Sequence, residues 1–193
     1  MKITSLTALL ITGVAAAAAN VGPMTQWTVT VCMESASDRY GVATLEMARF
    51  TAGTMFSEIG VQLAWHGLAS CPSEALQISL SEKTPEDLRR AALAYALPYE
   101  GTHIVVFWDR IQSSARERFL VPVTAHVLAH EITHILQAVS QSETGLMKAH
   151  WDANDFNRMI VAPLPFTAPD IDLIQHGLQW RKSWRQVAAE AVS

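Results

Sequence analysis

The sequence predicts a mixed α/β domain, on the border of α+β, and three observations carry that expectation. Short alternating or wholly apolar runs fill the first half of the chain. Helical periodicities take over in the second half. Between them lies an apolar helix that carries His130-Glu131-Ile132-Thr133-His134. Strands gathered ahead of helices that share one motif-bearing helix fit a sheet covered by helices.

The opening stretch, MKITSLTALLITGVAAAAAN, reads as an export signal. Lys2 supplies the positive charge, Ile3 to Val14 the apolar segment, and the alanine run a cleavage site near Ala19. Residues 1–19 are therefore expected to be a signal peptide and 20–193 a single domain. Within that domain no segment is expected to be long and apolar enough to cross a bilayer. A net charge of -4 leaves no basic footprint for nucleic acid. Cys32 and Cys71 are the two cysteines. In an exported chain they are expected to pair, and closing a loop of about 40 residues contributes roughly 3–4 kcal/mol in the chain-entropy model. The rival expectation is that one thiol caps a metal in a latent form.

Trp27 to Val31 alternates apolar and polar residues, the pattern of a half-buried strand. A helix is expected from about Asp38 to Ile59, with Ser35 and Asp38 spaced as a capping box and Gly60 as its stop. Gly41 and Gly53 weaken it. Val61 to Trp65 and Leu76 to Leu80 alternate again and predict two more strands. Thr84-Pro85-Glu86-Asp87 announces a helix, with a cap, proline at the first position and acid at the third. Leu93 to Pro98, LAYALP, fits a helix by propensity and equally an edge strand. His103 to Trp108 is a nearly continuous apolar run, as in a strand buried on both faces. Arg110, Arg116 and Arg118 read as a solvated loop. Pro122 and Thr124 open the motif helix, and Thr167 with Asp170 caps a last helix in which Ile171, Ile174 and Leu178 recur at helical spacing. Trp108, Trp151, Trp180 and Trp184 are expected in the core or at an interface rather than in a substrate pocket.

The chemistry lies in the five-residue motif. Residues four apart on a helix sit one above the other, so His130 and His134 can aim imidazole nitrogens at one zinc ion. Glu131 falls beside such an ion and takes a proton from water as the water attacks a carbonyl. His126 adds a third histidine four residues earlier. Three such rings span about 12 Å along a helix, too far for one ion, which leaves His126 a packing or supporting role.

Val127 to Trp151, VLAHEITHILQAVSQSETGLMKAHW, resembles the metzincin-like HExxH zinc metallopeptidases. It is most similar to small exported bacterial ones that read HEIxHxLxG, a short gap, then HSxTGxM followed by Lys or Arg. The resemblance implies zinc on His130 and His134, Glu131 as the acid/base and Met147 as the Met-turn beneath the metal. Ser142, Thr144, Gly145 and Lys148 also match. It further implies a mixed, mostly parallel sheet packed on a long helix and the HExxH helix, with LAYALP as an antiparallel edge strand that holds an extended peptide or protein substrate.

Two departures bear on that expectation. Ala138 stands where the family has a glycine that lets the chain turn back. Gln141 stands where the family has its third histidine, and an amide is a poor zinc ligand beside imidazole or carboxylate. Glu143, His150 and Gln141 itself are the candidates for third ligand, with Asp152 and Asp155 close behind. The expectation is thus an exported zinc peptidase. The other reading is an inactive binding domain on the same scaffold, with weak or no metal.

Overall fold

The computed structural model describes residues 27–34, 41–86, 88, 92–97, 102–137 and 141–190. The expected signal at 1–19, the Ser35–Asp38 capping box and Ala138 lie outside them. The strands are β1 (Trp27–Met33), β2 (Val61–Gly67), β3 (Leu76–Ser81), β4 (Ala94–Leu97) and β5 (His103–Phe107). The helices are α1 (Val42–Ser57), α2 (Trp108–Ser114), α3 (Glu117–Gln137), α4 (Ala153–Val161) and α5 (Ala168–Glu190).

Alternation in the sequence becomes a buried sheet face. Leu76, Ile78 and Leu80 of β3 are buried while the residues between them are not. The strands form one sheet in the order β2-β1-β3-β5-β4. The first four are parallel neighbours, and β4 alone runs antiparallel, with Ala94 opposite Val106 and Leu97 opposite His103. This is the α/β architecture the sequence predicts, and LAYALP takes the edge-strand alternative rather than the helix. Helices α1 and α3 pack side by side against the sheet, with α1 towards β2 and α3 towards β4 and β5. The C-terminal helix α5 crosses α3 on its other flank.

Several boundaries differ from expectation. Helix α1 starts at Val42, because Gly41 takes φ 69° and becomes its N-cap instead of an interior residue. It stops as expected, with Gly60 at φ 77° and its N–H on the carbonyl of Ser57. The helix expected from Thr84 falls largely on residues 87 and 89–91, which lie outside the described ones. The N–H and hydroxyl of Thr84 both donate to the carboxylate of Asp109, at 3.0 and 2.7 Å. Trp108 ends no strand. It is the first residue of α2, buried where the apolar run passes from sheet to helix. Arg110 is not in a solvated loop: its guanidinium binds the carbonyls of Ala92 and Leu88. The motif helix starts at Glu117, five residues ahead of Pro122, which lies inside it. Helix α4 was not anticipated. Asp152 and Asp155 form its capping box.

Helix α3 is, by length and composition, apolar enough to cross a membrane, against the expectation that no such segment follows the signal. Most of its apolar stretch is buried among α1, α5 and the sheet, so the hydropathy of α3 is that of a core helix. Cys32 in β1 and Cys71 beyond β2 form the expected disulfide, with Cα atoms 5.7 Å apart. Both sulfurs are thereby committed, which excludes a free thiol as a metal cap in this state.

Candidate metal centre

Helix α3 places His130 and His134 on one face, one turn apart. The rings stand edge to face with centroids 4.5 Å apart, and their Nε2 atoms are 3.0 Å from one another. Two nitrogens bound to one tetrahedral zinc at 2.0–2.1 Å would be roughly 3.3 Å apart. The pair therefore fits a shared cation closely.

The surroundings set the state of each ring. Nδ1 of His130 donates to the carbonyl of Leu146 at 2.9 Å, so the neutral ring presents an unprotonated Nε2 to His134 Nε2. Such an outward partner on the far nitrogen is how metal-binding histidines are oriented. Nδ1 of His134 is buried and has no partner among the described residues. Burial lowers the pKa of His130, opposed by its bond to Leu146 and by the charge of Asp170. Burial, with His130 adding to it, lowers that of His134 to about 4. Both imidazoles are thus neutral near pH 7, the form that binds metal.

Glu131 is 8% exposed and faces the same cleft, which has a volume of about 540 Å³. Burial raises its pKa to about 7, opposed by a hydrogen bond from the backbone of Ala96 on β4. The edge strand and the acid of the motif are therefore in direct contact across the cleft.

Gln141, Glu143 and His150 are all exposed, and of the three only Gln141 and His150 line the cleft. Asp152 and Asp155 are engaged elsewhere: both accept from Lys148 Nζ, at 2.8 and 2.6 Å, while capping α4. Among the described residues, no three His, Cys, Asp or Glu side chains converge on one point. The donor set among the described residues is two imidazoles, with a carboxylate beside them.

Beyond the histidines the chain turns tightly. Gly145 takes φ 76°, and a Cβ there would lie 2.5 Å from the carbonyl oxygen of Pro165, so only glycine fits. Leu146 and Met147 are fully buried behind it. Ser142 closes the loop by donating its N–H to Met147, and its hydroxyl donates to Asp170 at 2.6 Å. His126 is completely buried and is not part of the cleft wall, in keeping with the packing or supporting role expected from its spacing.

Trp151 departs from expectation. Its ring stands edge-on to His130 at 5.4 Å, and it lines the cleft. Trp108 is core, while Trp180 and Trp184 are 62% and 58% exposed on α5. The Leu146 carbonyl and the Ala96 amide are functional groups that sequence reading missed. Backbone groups carry no residue signature, and only the fold brings them to the site.

A mostly parallel sheet with one antiparallel edge strand, lying over a helix that carries HExxH, defines a metzincin-like fold. Among solved structures, the chain is similar to archaemetzincin from Methanopyrus kandleri. The match has a TM-score of 0.55 and 12% sequence identity, and covers 82% of this chain and 99% of that one. At that identity the likeness concerns the fold alone. No protein-family model and no curated protein matches the sequence.

Proposed function

We propose that this chain is an exported zinc-dependent peptidase that hydrolyses peptide bonds in extended peptide or protein segments. One observation carries the reading: two neutral imidazoles with Nε2 atoms 3.0 Å apart, on the floor of a cleft whose wall includes Glu131. His130 and His134 would hold the ion. When bound, zinc polarises a carbonyl and acidifies water. Glu131 takes the proton of the attacking water and delivers it to the departing amine. Strand β4 pairs only with β5 among the described strands; on its cleft side the Ala96 amide is taken by Glu131, so an extended substrate would pair with the other groups of that edge or displace this bond. The disulfide supports export, since such bonds persist in oxidising compartments.

The test is cleavage of a denatured-protein or peptide library by the wild type and Glu131→Gln, with and without chelator. Chelator-sensitive cleavage that disappears in Glu131→Gln is the expected result. Equal cleavage by the two proteins removes Glu131 from the mechanism.

A second reading, a non-catalytic binding domain on the peptidase scaffold, is favoured by Gln141 and by the lack of three converging ligands among the described residues. It predicts sub-stoichiometric zinc after purification and no chelator-sensitive turnover.

A further inference from the structure

The buried histidine that the proposed chemistry does not use is His126. Its ring lies one helical turn before His130 and is fully buried, where an aliphatic side chain would avoid the cost of burying polar atoms. Both of its nitrogens are engaged. Nδ1 donates to the carbonyl of Pro122 at 2.6 Å, so Nε2 is an acceptor, and it receives the backbone N–H of Leu164 at 2.9 Å. That N–H belongs to Pro163-Leu164-Pro165, a stretch in no helix or strand, whose prolines have no N–H. His126 is the partner this backbone group has in the core.

The next residue continues the connection. The carbonyl of Pro165 accepts the N–H of Leu146 at 2.9 Å, in an approach that Gly145 permits by lacking a Cβ. The carbonyl of Leu146 accepts Nδ1 of His130 at 2.9 Å, and Nε1 of Trp151 at 3.3 Å as a second donor outside the path. Three hydrogen bonds, linked through the Leu164–Pro165 backbone and then that of Leu146, thus join His126 to His130 by a route outside α3.

We propose that His126 is a positioning residue. By fixing Leu164 and Pro165 it holds the Leu146 carbonyl in place, and that carbonyl sets the tautomer and aim of His130. The metal-binding part of this inference rests on the zinc reading above, whereas the tautomer part does not.

The substitutions separate positioning from packing. The side chain of His126→Asn is long enough to reach the position of Nδ1 and too short to reach Leu164. The side chain of His126→Gln reaches Leu164 and offers it an oxygen. Leu45→Ala removes core packing in α1, an element that contributes no hydrogen bond to the path. Zinc affinity is read by chelator competition, and stability by thermal melting of the metal-free proteins. His126→Asn is expected to bind zinc roughly 10–100-fold more weakly, the usual scale for losing an orienting partner. His126→Gln recovers to within a few-fold, and Leu45→Ala keeps wild-type affinity despite its lower melting point. Unchanged affinity in His126→Asn overturns the proposal, as does an equal loss in Leu45→Ala. Nitrogen NMR of the metal-free protein decides the matter even if no variant folds or the wild type binds no zinc, an outcome that would count against the zinc reading alone. A His130 Nδ1–H bonded to a carbonyl supports the proposal in the wild type, and its loss in His126→Asn extends that support. Its absence from the wild type, or its persistence unchanged in His126→Asn, overturns it.

Discussion

The Nε2 atoms of His130 and His134 face each other at 3.0 Å, and the Leu146 carbonyl holds the far nitrogen of His130. Two bare lone pairs at that distance repel, so either one ring turns a proton towards the other or a cation sits between them. A divalent metal satisfies both nitrogens at once. His134→Ala removes half of the observed donor set and is expected to cut zinc affinity by more than roughly 100-fold, beyond the range seen for losing a supporting group alone. Chelator competition on the purified proteins measures it. His134 Nδ1 has no partner among the described residues, but the loss of its ring takes from His130 Nε2 the nitrogen it faces, so the melting point of the metal-free protein should fall modestly.

His126 predicts a stability profile in acid. Burial lowers its pKa to about 4, only partly opposed by its bond to Pro122. In the unfolded chain the ring titrates near 6.5. A proton on Nε2 would point directly at the N–H of Leu164, so the folded state resists protonation. Between those two values the unfolded chain binds the proton and the folded chain does not. The stability associated with the neutral ring is complete above pH 6.5 and lost as pH falls towards 4, amounting to about 3 kcal/mol. Urea midpoints measured from pH 7.5 to pH 4 should fall more steeply for the wild type than for His126→Gln, which does not titrate. Parallel profiles would remove His126 as the source.

Gly177 reverses an ordinary expectation. Alanine is better than glycine inside a helix by close to 1 kcal/mol, so Gly177→Ala in α5 should stabilise on propensity alone. The backbone of α5 crosses α3 at this point, and a Cβ would collide with the carbonyl of Leu136. A backbone atom cannot swing aside as a side chain can. The substitution is therefore expected to destabilise by about 1–3 kcal/mol, the scale of an overpacked core, with a lowered melting point as the measurement. Arg181, one turn further on, donates to the carbonyl of Ile135, so displacement of α5 would also expose the last turn of the motif helix.

What was legible in the sequence followed periods and local pairs. Alternation placed β1, β2 and β3, the Thr167 and Asp170 pair capped α5 in both directions, and a spacing of four brought His130 and His134 together. What failed depended on distant partners or on a change of period within an apolar run. Arg110, read as solvated, binds carbonyls 18 and 22 residues earlier, and the run ending at Trp108 turns into helix without any polar break. Asp152 and Asp155 have the spacing of a cap, yet beside two histidines they read as spare metal donors. His126 gave its packing role by spacing alone, but Leu164, 38 residues on, lies in no window that a sequence pattern spans.

Gln141 decides how strongly the site holds its ion. It lines the cleft with His130, Glu131 and His134, so a side chain at 141 is already in the right cavity. Its amide oxygen carries no charge and is less basic than an imidazole nitrogen, which makes it a weak donor to zinc. Gln141→His introduces a neutral nitrogen donor in the same wall and would complete a three-histidine set of the kind that leaves a fourth position open. Zinc content after purification should rise towards one ion per chain, and affinity should rise by at least roughly the 10–100-fold scale of a lost supporting group. Glu143→Ala, on an exposed side chain outside the cleft wall, should leave metal content unchanged, while His150→Ala reports whether the other cleft histidine serves as the native third ligand. If Gln141→His gains nothing and His150→Ala loses its zinc, the ligand set closes from the far side of the turn. If neither substitution moves the metal content, neither position supplies a ligand: zinc present in all the proteins is then held by the imidazole pair alone, and zinc absent from all of them places the scaffold with the non-catalytic reading.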